Sequence, residues 1–314
     1  MNAQMIALIN QIIVFALLMA IGFTAAKVNV ITKDGLSALS SLIVKIIIPS
    51  LIFSVIAGSG VTVQEFLISG KIALGVILAY FLMFLASFIL SKMWKFEEKT
   101  ANVFVAVATF GNMGIIGIPL LLATFEGPEV NVCISVYTII DQALLWTVGV
   151  YLCSRHQRNS KNIKSALIRM LNPITVAVIL AFTILLLEIP IPALLMDTIV
   201  GIGGTTKYLT LIYIGGTLAF VSVTQIQNKP SIFMIVLVKM LMLPVIVYIL
   251  LGFFLPELPR MILTIIVGLP SMPVIAIVAK SYGSDDEFAA GAAFVTTLAC
   301  LITIPLVSLA TSFI

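Results

Sequence analysis

Two short stretches hold most of the residue types that could do chemistry. One is TFGNMGIIGIPLL at 109–121, where Gly111, Asn112, Met113 and Gly114 stand together ahead of Pro119. The other is GLPSMP at 268–273, with Pro270, Ser271, Met272 and Pro273. Both interrupt long apolar runs. Proline removes a backbone donor and crowds the preceding turn, and glycine tolerates an unwound conformation. A helix broken at such a point frees N–H groups at the start of one half, which attract anions. It also frees carbonyls at the end of the other half, which can hold a cation. Asn112 adds an amide donor and a carbonyl acceptor at the same place. The chemistry on offer is ligand binding. The competing reading is a pair of packing kinks, since glycine and proline are common in membrane helices. Glycines of the pattern Gly203, Gly204, Gly215 and Gly216 read as a seam of small residues that lets helices approach.

Charges inside apolar runs form a second candidate set. Lys45, Asp141, Lys207 and Lys239 fall well within such runs. A charge at mid-membrane is costly, so each needs a partner, water or a route to the interface. Lysines near the end of a run can reach the interface with their flexible stems, which suits Lys71 and is open to Lys239. Lys45 and Lys207 lie deeper, at matching places in the two halves of the chain. They fit a charge network with Asp141, attraction of an anionic substrate, or snorkelling. Asp141 also fits a titrating site for proton coupling. Gln142, its neighbour, points to a different helix face and makes a poor companion for one ion.

These sites need a membrane to make sense. The chain is 61% hydrophobic and 10% charged, with a mean hydropathy of +1.23. Soluble domains carry about 25% charged residues, so the composition specifies an all-α polytopic membrane protein. The net charge of +4 is spread over loops and implies no nucleic-acid partner. Cys133, Cys153 and Cys300 lie in apolar stretches, with neither disulfide nor zinc spacing. His156 sits beside Arg155, Arg158 and Lys161 and reads as a solvated loop residue. No HExxH or GxSxG pattern occurs, so an enzyme is not expected. Charge rings or a filter loop of the channel type are also missing. No metal or cofactor is expected beyond coupling to H⁺ or Na⁺.

Ten apolar runs account for the sequence, at 5–25, 36–58, 68–90, 102–125, 130–153, 167–187, 196–220, 231–254, 259–280 and 287–312. Runs of this length cross a hydrocarbon layer of about 30 Å at about 1.5 Å per residue. The first lacks a basic flank and a cleavage site, and reads as a retained span. Loops after odd-numbered runs carry nearly all the loop Lys and Arg, which predicts both termini on the non-cytoplasmic side. Five runs precede the basic linker 155–169 and five follow it. Residues 1–154 and 170–314 then form two five-helix repeats of inverted topology. Each has its breakers in its fourth span, the sequence sign of a central site built from two discontinuous helices.

GNMGIIGIPLL in span four, IIIPSLIF in span two, and GLPSMPVIAIVAKSYG followed by FVTTLACLITIPL in the last two spans resemble the auxin efflux carrier family. That family includes plant auxin carriers and bacterial malate or malonate permeases, and is distantly related to the bile-acid carrier fold. The likeness runs the length of the chain. It implies a secondary active or facilitative carrier of small organic anions in the cell (inner) membrane, working by elevator-like alternating access. Spans four and nine would cross near mid-membrane, with substrate beside Gly111, Asn112, Met113, Gly114, Pro270, Ser271, Met272 and Pro273. Spans one, two, six and seven would form a scaffold and a homodimer contact; spans three to five and eight to ten would form the transport bundle. A sodium-coupled organic-anion symporter is the alternative, and a non-transporting receptor or scaffold a more distant one. Three positions depart from the family pattern: Gly111 stands where plant members have proline, Lys45 where many bacterial members have asparagine, and Lys207 where proline is frequent.

Overall fold

A computed structural model describes residues 3–58, 69–156, 173–220 and 230–314. The remainder of the basic linker beyond His156, and the stretches 59–68 and 221–229 expected to join scaffold and bundle, lie outside the described residues. In chain order the helices are α1 (Ala3–Lys27), α2 (Lys33–Leu42), α3 (Ile48–Ala57), α4 (Gly70–Met93), α5 (Glu98–Thr109), α6 (Ile118–Thr124), α7 (Pro128–Leu144) and α8 (Val150–Ser154). They continue as α9 (Pro173–Leu186), α10 (Ala193–Gly204), α11 (Thr206–Leu218), α12 (Pro230–Leu237), α13 (Leu243–Leu251), α14 (Glu257–Val267), α15 (Val274–Ser281) and α16 (Asp286–Thr311). Helix occupies part of each apolar run, and no strand occurs among the described residues beyond one isolated bridge. Five continuous segments there are long and apolar enough to cross a membrane: Lys33–Ala57, Gly70–Met93, Pro128–Ser154, Pro230–Leu251 and Asp286–Thr311. The protein is therefore a polytopic helical membrane protein.

Local sequence explains where helices begin and loosen. The Thr32 side chain accepts from the Gly35 N–H at 3.1 Å and opens α2, and Asp285 does the same for Phe288 at 2.9 Å to open α16. Wider π turns occupy Ile43–Ile47, Met113–Gly117 and Val238–Met242. Each is followed by a proline at the second residue beyond it: Pro49, Pro119 and Pro244. A proline ring clashes with the carbonyl four residues back, and a π turn displaces that carbonyl. The π turn at Leu145–Gly149 has no such proline. There Gly149 faces the Phe110 ring, where a Cβ would stand 3.2 Å from it.

The chain divides into two compact units. The first comprises Met1–Gly70, Gly114–Ser135 and Leu171–Ser222. Its core is α1 packed along α11, with α9 and α10 on α3. The α1–α11 contact is backbone to backbone: a Cβ on Gly22 would overlap the Ile212 carbonyl, and one on Gly215 the Met19 carbonyl. Gly203 meets Leu51 in the same way, with a would-be Cβ 2.8 Å from its Cα, and Gly216 faces the Leu36 side chain. Gly204 departs from the expected seam, because nothing lies within 4 Å of its would-be Cβ.

The second unit comprises Lys71–Met113, Val136–Met170 and Val223–Ile314. In it α16 is the hub, packed against α5, α12 and α15. The hydroxyl of Thr100 on α5 donates to the Asp285 carboxylate at 2.7 Å, tying the start of α5 to the start of α16.

The glycine contacts yield a paired test. Gly215→Ala forces α1 and α11 apart and costs about 1–3 kcal/mol by overpacking. Gly204→Ala meets open space and, with alanine's better helix propensity, leaves stability unchanged or raises it slightly. Melting temperatures of the two variants, measured side by side in detergent, check this. Equal values would remove the backbone contact.

Candidate functional site

Both broken segments belong, up to Met113, to the second unit. Helix α5 ends at Thr109, where Phe110 turns to extended backbone (φ −85°, ψ 123°). Helix α14 ends at Val267 with Gly268 as its cap, and Leu269 precedes a proline, a placement that disfavours helix. The two extended pieces then pair: Gly111 and Ser271 form an isolated antiparallel bridge. The Asn112 N–H donates to the Pro270 carbonyl at 2.8 Å, and the Met272 N–H donates to the Phe110 carbonyl at 3.1 Å. The sequence-predicted breaks are thus real, and Gly111, Asn112, Met113, Pro270, Ser271, Met272 and Pro273 come together around one crossing. Gly111 sits tightly there, its would-be Cβ 3.3 Å from the Leu269 Cβ. Gly114 falls in the first unit, where it faces Ile48.

Side chains from other helices complete the backbone pairing. The Ser271 N–H donates to the Thr296 hydroxyl of α16 at 3.0 Å, and that hydroxyl donates to the Ala292 carbonyl at 2.6 Å. Lys239, on the π turn between α12 and α13, is 1% exposed. Its ammonium donates to the Phe110 carbonyl at 2.9 Å and the Val107 carbonyl at 3.2 Å. These are freed carbonyls at the end of α5. The route to the interface open to Lys239 in the sequence reading is therefore not taken, because the broken helix supplies acceptors inside the protein.

Three polar atoms at the crossing are left over. Asn112 is 0% exposed, and neither its Nδ2 nor its Oδ1 has a partner. The buried Ser271 Oγ has none either. Buried polar atoms in proteins are nearly always hydrogen-bonded, and the exceptions call for a ligand, ion or water. Asn112 and Ser271 stand on the two paired segments, Ser271 opposite Gly111 and Asn112 opposite Pro270. Together they offer one amide donor group, one carbonyl acceptor and one hydroxyl, with no acidic side chain in either broken segment.

Asp141 has its own surroundings in this unit. It accepts from the Tyr80 hydroxyl and, at 3.0 Å, from the Gln142 amide. Tyr80 has a single proton, committed to Asp141, so the hydroxyl of Tyr137, 2.8 Å away, donates to Tyr80. Trp146 Nε1 donates to Gln142 at 3.1 Å. The expectation that Asp141 and Gln142 point apart fails. The long glutamine side chain bends back to its neighbour, and Trp146 one turn further holds it there. The Asp141 carboxylate also lies within electrostatic range of Lys239. The basic group that acts on Asp141 thus belongs to its own unit. Lys45 and Lys207, grouped with it at the sequence level, belong to the first unit. There Lys45 is exposed, and Lys207 is half-buried with its ammonium 5.2 Å from the Tyr208 ring centre.

An apolar cavity of about 560 Å³ lies beside this network, lined by Ile77, Tyr80, Phe84, Phe110, Ile140 and Val148 among others. Neither Asn112 nor Ser271 lines it. Among the described residues no cluster of side chains could hold a metal ion. Sequence reasoning missed Thr296, Tyr80 and Tyr137, whose types are unremarkable in apolar helices. Thr296 is testable as a support. Thr296→Val keeps the shape and orphans the Ser271 N–H, at a cost of about 1–3 kcal/mol. Thr296→Ser keeps the hydroxyl and should melt nearer to wild type than Thr296→Val does.

Comparison with known proteins bears on the whole chain. A family model described as membrane transport protein matches residues 7–308. A search of curated proteins returned no match. Since the model spans nearly all of the sequence and the chain is a helical membrane protein with two helices broken and bridged to one another, the protein belongs to the membrane transport protein family, that of the auxin efflux carriers, and is a membrane transporter.

Proposed function

We propose that this transporter carries small organic anions, carboxylates such as malate or malonate, across the cell membrane by alternating access. The observation that carries the reading is the set of partnerless buried atoms on Asn112 and Ser271 at the crossing. An amide N–H and a hydroxyl are suitable donors to a carboxylate, and neither broken segment carries an acidic side chain that would repel one. The Lys239 ammonium at the end of α5 adds positive charge close to the same backbone. Asp141 offsets part of it, so the preference for an anion rests mainly on the donors.

The division into units supports an elevator-like cycle. Residues of spans one, two, six and seven fall in one unit, and those of spans three, eight, nine and ten in the other. In this reading the first unit is the scaffold and homodimer contact, and the second, with the crossing, is the part that moves. The chain changes unit at Met113 and Gly114, directly after Asn112, and again at Ser135. The later half of span four thus groups with the scaffold. Inverted repeats 1–154 and 170–314, with both termini outside the cytoplasm, follow from the loop charges.

Two experiments test this. Purified protein screened against short mono- and dicarboxylates should show saturable thermal stabilisation by one of them, since a ligand that prefers the native state raises apparent stability. Asn112→Ala should then weaken that ligand by about 5- to 150-fold, corresponding to about 1–3 kcal/mol. Liposome uptake of the same acid should be saturable and fall in parallel. Wild-type affinity and initial rate in Asn112→Ala, normalised to inserted protein, would remove Asn112 from the site. For topology, single cysteines placed near either terminus should react with an impermeant thiol reagent from outside whole cells. Labelling only after permeabilisation would overturn both the orientation and the inverted repeat.

A further inference from the structure

Lys239 does more than find partners. The end of a helix carries roughly half a negative charge on its freed carbonyls, and discontinuous membrane helices use such carbonyls to coordinate small cations. Here two of them, Val107 and Phe110, converge on one point, and that point is filled by the Lys239 ammonium at 3.2 and 2.9 Å. The same Phe110 carbonyl accepts the Met272 N–H, so the ammonium touches the crossing itself. The Asp141 carboxylate lies within electrostatic range. Its two oxygens take neutral hydrogen bonds, from Tyr80 and Gln142, and the Lys239 ammonium supplies opposite charge. The place therefore has what a monovalent cation requires: convergent backbone carbonyls, a carboxylate at longer range and burial inside the protein.

We propose that Lys239 is a tethered cation. Its ammonium fills, from within the chain, the seat that the α5 carbonyls would otherwise offer to a free alkali ion. The crossing is then assembled without an exchangeable cation, and removal of the ammonium uncovers a binding site for a small monovalent cation. Two negative features, the carbonyls and Asp141, would remain in a desolvated place with nothing to balance them. A sodium or potassium ion matches that charge and the oxygen donors. Where the transporter reading above also holds, wild-type uptake is independent of sodium.

The test is a melting experiment without substrate, so its failure is distinct from failure of the organic-anion reading. Full-length protein is compared in sodium, potassium or choline chloride at fixed ionic strength. Wild type should melt at the same temperature in all three, because the seat is taken. Lys239→Ala should melt lower in choline, and sodium or potassium should restore it saturably by about 2–4 °C or more. Lys239→Arg keeps a cation on the carbonyls and should show no such response. If Lys239→Ala does not fold, Lys239→Met keeps most of the side-chain volume and removes only the charge. Its yield of monodisperse protein should rise when sodium or potassium replaces choline throughout solubilisation. A saturable sodium response in wild type would overturn the proposal, since it would mean an open seat. So would an alanine variant, or a methionine variant in its place, that is indifferent to alkali ions.

Discussion

Everything distinctive in this protein follows from one constraint. Backbone groups taken out of a helix inside a membrane must find other partners, since hydrocarbon supplies none. The chain breaks two helices and meets the constraint by making each break the partner of the other. Asn112 and Met272 donate across the bridge to Pro270 and Phe110, Thr296 takes the Ser271 N–H, and Lys239 takes carbonyls left at the end of α5. Because the backbone is satisfied by backbone, a threonine and a lysine, the side chains of Asn112 and Ser271 are not consumed in holding the crossing together. They make no hydrogen bond of their own.

The breaks themselves were legible in the sequence. Glycine and proline act locally, so GNMGIIGIP and GLPSMP locate the interruptions without any knowledge of neighbours, and the apolar runs between charged loops locate the helices. What supports the crossing was not legible, because each supporting residue comes from a distant helix and is of an ordinary type. Thr296 reads as a small polar residue in an apolar span, and threonines there commonly bond their own helix, as this one also does to Ala292. Tyr80 and Tyr137 read as aromatic filling. Only their place beside Asp141 gives them a role: Tyr137 stands one turn before it on α7, and the Tyr80 hydroxyl reaches both from α4.

The lysines make the limit sharper. A run of apolar residues reports how deep a residue lies along a helix but not which way it points. In a soluble helix the polar face supplies that second coordinate. In a helix apolar all round the pattern is nearly silent, as in α1 and α4, where no face stands out. Lys45 and Lys239 illustrate the difference. Both stand on π turns that precede a proline, and both read as mid-span cations. One is exposed and the other almost fully buried. Matching depth in the two halves of the chain singled out Lys45 and Lys207, whereas the residue at the crossing is Lys239, whose depth was compatible with a route to the interface.

The π turns connect these observations. A proline within a span would ordinarily kink the helix and strand the carbonyl four residues back. Spreading the preceding turn lets the helix continue past Pro49, Pro119 and Pro244, and it re-aims the residues on the widened turn relative to a regular helix. For Val238–Met242 the re-aimed residue is Lys239. Nothing about a lysine at that depth requires it to reach α5. The proline at 244 and the wide turn before it bring α12 and α13 into one continuous segment, while the break at 110 supplies two acceptors within reach. Chain irregularity in span eight and chain interruption in span four are thus complementary. A regular α-helix at either place would leave a buried ammonium without carbonyls, or carbonyls without an ammonium, and each is costly in a membrane interior.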